Sequence, residues 1–167
     1  ARLLEAFARL APAHPDVQLA VVGATGWGNE PFHARLGELA LGDRVVLCGR
    51  VPDADLWLLY RAAALLAYPS LYEGFGLPPL EAMACGTPVV ASNTTAIPEV
   101  VGEAGLLCDP LDVAALAEAL AAVLDDAALA ARLSEAGPAR AAQFTWARAA
   151  AAYLQLFREL GGRSPRQ

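Results

Sequence analysis

The chain has little charge. Only 18% of its 167 residues are Asp, Glu, Lys or Arg, against 56% hydrophobic residues and a mean hydropathy of +0.39. That excludes the polar, self-repelling composition of an intrinsically disordered chain. A basic excess is also lacking: 12 Lys+Arg face 18 Asp+Glu, giving formal charge −6 and a pI near 4.8. A phosphate backbone is the wrong main partner for that balance, so general nucleic-acid binding is not expected. Long apolar runs are missing. Arg61 interrupts Leu56 to Ala67 and Glu118 interrupts Val113 to Leu124, well short of the ~20 residues that a bilayer needs. No charged start leads into an apolar stretch and a small-residue cleavage site, so no secretory signal is expected and a cytoplasmic location is the default. Cysteine is scarce. Cys48, Cys85 and Cys108 are widely spaced without a C-x-x-C, and His14 and His33 lie near none of them. They are expected to be ordinary buried or half-buried thiols rather than metal or redox ligands. Methionine occurs once, at Met83, and not at the start. Ala1 to Leu10 reads as an amphipathic helix already under way, so a piece of a longer chain is expected. What is present suffices for one packed unit, since at this size about 70% of the unfolded surface can be buried without a disulfide or metal.

Gly and Pro divide the rest into alternating elements. Val17 to Val22 is a β-branched run stopped by Gly23, and Ala24 to Asn29 is a Gly-containing loop. Pro31 fits a first helical turn, and Phe32 to Ala40 continues it up to Gly42. Arg44 to Cys48 reads as a strand closed by Gly49. Asp53 is expected to cap the segment Leu56 to Ala63, whose Leu56, Leu59 and Tyr60 share a face. Ala64 to Tyr68, Pro88 to Ala91 and Gly105 to Cys108 read as further strands, with helical segments at Pro79 to Cys85 and Pro98 to Val101. This order predicts an α/β fold with a Rossmann-like parallel sheet, right-handed crossovers and helices on both faces. Asp112 to Leu124, Ala127 to Ala136 and Thr145 to Leu160 then predict helices only. The tail from Gly161 to Gln167 is polar and expected to fray. Ala-rich stretches recur at no fixed period, which excludes a repeat architecture.

The informative segment runs from Pro69 to Pro88. It begins at the carboxyl end of a predicted strand and enters a helix, which is where open α/β sheets bind ligands. Gly74 and Gly76 flank Phe75, so backbone N–H groups can approach a ligand without a shielding Cβ. Pro78 and Pro79 are expected to start a helix whose free N–H groups and positive dipole end face the same loop, a setting that suits a phosphate or pyrophosphate. Glu73 on the loop and Glu81 in the expected first turn bracket this anion site. A carboxylate repels phosphate, so each must face another part of the ligand. Ionised Glu only accepts hydrogen bonds, and its two oxygens match a vicinal diol. An anionic middle with a diol at each end describes a nucleotide sugar. Read generically, the same residues serve as a helix acid, a tight turn and a solvated carboxylate, and a Gly-Phe-Gly alone carries little.

Taken whole, Glu73-Gly-Phe-Gly-Leu-Pro-Pro-Leu-Glu81-Ala-Met-Ala-Cys-Gly-Thr-Pro-Val-Val closely resembles the donor-site signature of retaining glycosyltransferase family 4, the glycosyl transferase group 1 type. Leu41-Gly-Asp-Arg-Val-Val-Leu-Cys-Gly-Arg-Val51 resembles that family's strand and turn before the nucleotide base. Ile97-Pro-Glu-Val-Val-Gly-Glu-Ala-Gly-Leu-Leu-Cys-Asp-Pro110 resembles its following helix and strand. The resemblance spans about Ala1 to Leu124. It implies the C-terminal, donor-binding half of a GT-B arrangement, in which two Rossmann-like domains face across a cleft. It further implies that Glu73 holds hydroxyls of the transferred sugar and carries the catalytic role by positioning and charge stabilisation. Gly74, Phe75, Gly76 and Leu77 would give backbone contacts near the sugar and pyrophosphate, Glu81 would bind the ribose diol, and Arg50 and Val51 would lie against the base. The implied substrate is a nucleoside-diphosphate sugar of mannosyl or glucosyl type, with no cofactor and no metal. The acceptor, a sugar or lipid-linked molecule, would be held by an N-terminal domain, with membrane contact at most peripheral.

The opening departs from that pattern. The family's donor domain begins with a strand, a Gly-Arg turn and a basic residue before the helix with which this sequence starts. In a doubly wound sheet the first strand is central, so a gap in the sheet, a weakened phosphate site and a catalytically inert chain are expected. Residues 125–160 are then helices that pack on the sheet domain or on the N-terminal domain. Two other readings stay open: a nucleotide-sugar-binding module without turnover, and another GT-B enzyme such as an epimerase, for which the sequence offers no acid–base set. A receiver-type domain falls because no strand contains lysine. Among lesser candidates, Trp27 and Trp57 could stack on a base or sugar but more commonly pack. Trp146 is expected in a core or interdomain contact, and Leu154, Leu156 and Phe157 on a surface meant to be covered. Thr94 and Thr95 read either as approaching the leaving group or as ordinary loop or cap residues. His33 reads as a helix-surface residue, and no Ser-His-Asp set assembles.

Overall fold

The structure, a computed structural model, describes residues 1–24 and 30–161. In chain order it contains α1 (Arg2–Leu10), β1 (Leu19–Val22), α2 (Glu30–Glu38), β2 (Val45–Gly49), α3 (Asp53–Ala62), β3 (Leu66–Tyr68), α4 (Leu77–Ala84), β4 (Val89–Ser92), α5 (Ile97–Val101), β5 (Leu106–Cys108), α6 (Val113–Asp125), α7 (Ala127–Ala141) and α8 (Trp146–Gly161). Each strand-forming run of the sequence has become a strand, and all the pairings are parallel. They do not form one ladder. β1 pairs with β2 in a two-stranded sheet, and β3, β4 and β5 form a three-stranded sheet in that order. Parallel strands bond only at a spacing of about 4.8 Å, so among the described residues the α/β sheet is interrupted between these two parts.

β4 is the centre of the larger sheet, and all of its residues are buried, as a strand covered on both faces requires. Successive side chains point to opposite faces. Val90 joins a core with Leu4, Phe7 and Leu10 of α1, Leu116 and Leu120 of α6 and Leu133 of α7. Val89 and Ala91 join a second core with Met83 of α4 and Ile97, Val100 and Val101 of α5. α1 earns its place through apolar residues at helical spacing, with Leu4 and Ala6 fully buried. Asp112 caps α6 by accepting from the N–H groups of Ala114 and Ala115 at 2.8 and 3.0 Å. Asp126 caps α7 in the same way, with both bonds at 2.9 Å.

Three expectations are corrected. Asp53 is the first residue of α3 rather than its cap; Pro52 precedes it, and no side chain closes that end. α4 begins at Leu77, ahead of both prolines, because Gly76 turns the chain into it. α7 continues from the expected end at Ala136 through Gly137 and Pro138 to Ala141. Its reason is packing: a Cβ at Gly137 would stand 2.9 Å from the Met83 carbonyl oxygen, so the bare glycine lets α7 lie directly on α4. Trp146, expected in a core or interdomain contact, is 90% exposed, which excludes a place in the core of this chain. α8 has no buried residue, and Tyr153, Leu154, Leu156, Phe157 and Leu160 all face outward. His33 lies exposed on α2. Trp27 and most of its loop, like residues 162–167 of the expected frayed tail, lie outside the described residues. Among the described residues no helix is long and apolar enough to cross a membrane.

Candidate functional site

β3 ends at Tyr68, and the chain passes over the carboxyl end of the sheet from Pro69 to Gly76 before entering α4. Gly76 is the pivot. Its φ of +105° and ψ of 53° lie where only glycine is at ease. A Cβ there would also come within 2.6 Å of Ile97 Cδ1. Gly74 is different: a Cβ on it would meet nothing within 4 Å, so the space beside its backbone is open to a ligand. Pro78 and Pro79 carry no N–H. The expected full set of free helix N–H groups is therefore reduced to those of Gly76 and Leu77 at this end, since Leu80 N–H already bonds the Gly76 carbonyl at 3.3 Å. Because α4 starts at Leu77, Glu81 stands in its second turn, not its first.

Both glutamates are half-buried and each is held by a tyrosine. Glu73 Oε1 accepts from the Tyr68 hydroxyl at 2.6 Å and from Ser70 Oγ at 2.8 Å. Its backbone N–H donates to Thr95 Oγ1 at 3.1 Å. Thr95 itself has φ +56°, a left-handed conformation that is strained for a β-branched residue. Glu81 Oε2 accepts from the Tyr60 hydroxyl at 3.1 Å, and the Tyr60 carbonyl accepts from Thr87 Oγ1 at 2.7 Å. Burial pushes both tyrosine hydroxyls well above their ordinary range, and the Glu81 and Glu73 carboxylates push Tyr60 and Tyr68 the same way. Both therefore keep their protons and act as donors at neutral pH.

The loop is braced from behind. Phe75 meets Phe144 edge to face at 5.8 Å between centroids, and the Arg140 guanidinium lies 5.0 Å over the Phe144 ring. Arg140 in turn donates to the carbonyls of Val100, at 3.0 Å, and Glu99. Trp57 packs edge-on to Tyr60 at 6.1 Å and, with Leu80, Glu81, Ala84, Pro138 and Phe144, lines an open groove beside α4. Packing is thus the role the structure gives Trp57, although it is 43% exposed. At the carboxyl end of β4, Ser92 Oγ and Thr94 Oγ1 are buried without a hydrogen-bond partner among the described residues.

The structure brings Glu73, Gly74, Phe75, Gly76, Leu77 and Glu81 to one end of the three-stranded sheet. Arg50 and Val51 follow β2, in the other sheet, Arg50 exposed and Val51 half-buried. No hydrogen bond or ion pair among the described residues joins them to either glutamate. Sequence reasoning missed Tyr60, Tyr68 and Ser70. Two hydroxyls close upstream of Glu73 were a readable signal for Tyr68 and Ser70; Tyr60 had none, because only topology brings it to Glu81. Thr95, considered there for a ligand contact or an ordinary loop role, accepts from the Glu73 backbone N–H. Cys48 and Cys85 are half-buried and Cys108 is buried, all free thiols; burial pushes the Cys108 thiol up. Chemically, the arrangement offers an open glycine backbone and two oriented carboxylates that can accept from hydroxyl groups.

Against known proteins, residues 1–140 match the family model described as glycosyl transferases group 1. The chain is 42% identical over 146 residues to the O-antigen chain mannosyltransferase B of Escherichia coli, covering 86% of this chain and 38% of that relative. Its structure resembles sucrose-phosphate synthase from Thermosynechococcus elongatus with a TM-score of 0.81 at 36% identity, covering 96% of this chain and 43% of that one. It also resembles HepE of Anabaena, solved in complex with UDP and glucose, with a TM-score of 0.79 at 28% identity, covering 97% and 44% of the two chains. The chain spans about two fifths of the length of these relatives. With a family model matching most of its length and a signature held in a formed α/β site, the chain belongs to the glycosyl transferases group 1 family.

Proposed function

We propose that this chain is the donor-binding part of a retaining hexosyltransferase that moves a mannosyl or glucosyl group from a nucleoside-diphosphate sugar to a hydroxyl acceptor. The observation that carries the reading is the placement of Glu73 and Glu81 on either side of the Gly74 to Leu77 backbone, each carboxylate held by a tyrosine hydroxyl. The UDP and glucose bound to HepE support a ligand of this class. Glu73 accepts hydroxyls of the sugar and favours the positive charge that develops as the bond from the anomeric carbon to the diphosphate breaks. The acceptor oxygen then bonds that carbon on the same face, and its proton passes to the departing diphosphate. Glu81 accepts from the ribose diol, Gly74 to Leu77 lie along the diphosphate, and Arg50 and Val51 border the base. The reading calls for no resident cofactor or metal. The acceptor is held by a further domain of the intact polypeptide, and this chain alone binds donor without transferring it.

Calorimetry with UDP, GDP and ADP and their hexose esters, together with transfer assays of the intact polypeptide, tests this reading. Glu73→Ala should lower turnover far more than donor affinity, and Glu81→Ala should mainly weaken donor binding. Small, equal effects from both, or hexosyl transfer by this chain alone, would refute the corresponding role.

A further inference from the structure

The geometry assigns Tyr68 and Ser70 as positioning residues that lock Glu73 with one carboxylate oxygen engaged by the protein and the other, Oε2, without a hydrogen-bond partner among the described residues and so left for the sugar. The inference rests on the donor-binding function proposed above and deepens it. Both hydroxyls converge on the same atom: Tyr68 at 2.6 Å and Ser70 at 2.8 Å meet Glu73 Oε1. Two donors on one oxygen fix the plane of the carboxylate, since any rotation about its last bond breaks both contacts. The other end of the residue is fixed as well, through the backbone N–H of Glu73 on Thr95 Oγ1 at 3.1 Å.

The support for this clamp comes from rigid parts of the fold. Tyr68 is the last residue of β3, paired with Ala91 of the fully buried β4, so the backbone from which its hydroxyl reaches Glu73 is anchored in the sheet. Thr95 follows β4 and is held in a strained backbone conformation that a merely solvated loop would relax. Glu81 provides an internal contrast. Its hydroxyl partner, Tyr60, is at the longer distance of 3.1 Å. Removing Tyr60's hydroxyl disturbs a carboxylate read as a ribose contact, whereas removing Tyr68's disturbs the one read as a sugar contact. Two tyrosine–carboxylate pairs of the same chemistry therefore give opposite kinetic signatures.

The test uses the intact polypeptide with UDP, GDP and ADP and their glucose and mannose esters. Tyr68→Phe and Ser70→Ala each remove one charge-assisted hydrogen bond and should lower kcat roughly tenfold or more, with nucleoside-diphosphate affinity unchanged within about twofold. Ser70→Thr, which keeps a hydroxyl, should restore most of the turnover lost in Ser70→Ala. Tyr60→Phe should weaken nucleoside-diphosphate binding more than it lowers kcat. Equal losses of turnover and diphosphate affinity in Tyr68→Phe, or full turnover in both Tyr68→Phe and Ser70→Ala, would overturn the clamp while leaving the proposed function standing. A wild-type protein that binds no nucleoside diphosphate and transfers no hexose would overturn both. Should Tyr68→Phe fail to fold, Ser70→Ala with its Ser70→Thr rescue decides the matter.

Discussion

Replacing Gly76 by alanine isolates the strain that lets the site loop enter α4. At φ +105° a side chain costs at least the left-handed penalty, about 1–2 kcal/mol. The new Cβ would stand 2.6 Å from Ile97 Cδ1, and Ile97 is fully buried. Moving that methyl group in a filled core adds about 1–3 kcal/mol. The stiffer unfolded chain returns up to about 1 kcal/mol, leaving a net loss of about 1–5 kcal/mol. Urea unfolding followed by circular dichroism measures it. Ile97→Val deletes the obstructing Cδ1 and alone should cost about 0.5–1.5 kcal/mol. The double variant should be more stable than the sum of the two single losses predicts, by the clash component alone. If the two losses add within about 0.5 kcal/mol, the clash does not exist; if Gly76→Ala alone costs less than about 0.5 kcal/mol, the backbone strain does not exist either.

Three further outcomes are expected. Gly137→Ala, which in an exposed helix would stabilise, should here lower Tm by several degrees, because its Cβ would meet the Met83 backbone at 2.9 and 3.2 Å; a rise in Tm on thermal melting would show that α7 does not rest on α4. Asp112→Ala should cost about 1 kcal/mol and Asp112→Asn much less, since the capped N–H groups need only an oxygen; equal losses in chemical denaturation would exclude the cap. Tyr60 and Tyr68 keep their protons to higher pH than the tyrosines of an unfolded chain, whose pKa is about 10. Above that pH the unfolded state binds fewer protons, so stability should fall as pH rises. Tyr68→Phe should blunt the decline in urea midpoints, and an identical decline would contradict the burial of that hydroxyl.

The strands were legible because short β-branched runs between Gly and Pro have few other uses in a compact chain. A gap in the sheet was legible from the departure from the family's opening pattern, and the strands do form two sheets; which edges pair was not written in any one segment. Helix ends misled wherever packing outweighed local preference. Gly137 and Pro138 read as a stop, yet α7 passes through them because the glycine fits against Met83. Pro79 read as a start, yet Gly76 begins the turn. At the site, the glutamates and glycines were visible as a contiguous string. The hydroxyls that hold the glutamates were harder to see: Tyr60 lies 21 residues from Glu81 and Thr95 lies 22 from Glu73, and only the sheet brings them together.

The divided sheet makes local opening unequal across the molecule. β4 and its neighbours lie between two cores, whereas β1 alternates between half-buried and exposed residues, and β2 buries only Val45 and leaves Val46 and Leu47 exposed. Amides of the smaller sheet will therefore exchange with solvent at a lower opening free energy than those of the larger one. Under the donor-binding role proposed above, the two ends of a nucleotide sugar would meet surfaces of different stiffness, a rigid one at Glu73 and Glu81 and a yielding one at Arg50 and Val51. Part of the binding free energy would then go into quieting that yielding half. Ligand-induced slowing of exchange should accordingly concentrate in β2 and the turn that follows it, far more than in the loop that carries the glutamates.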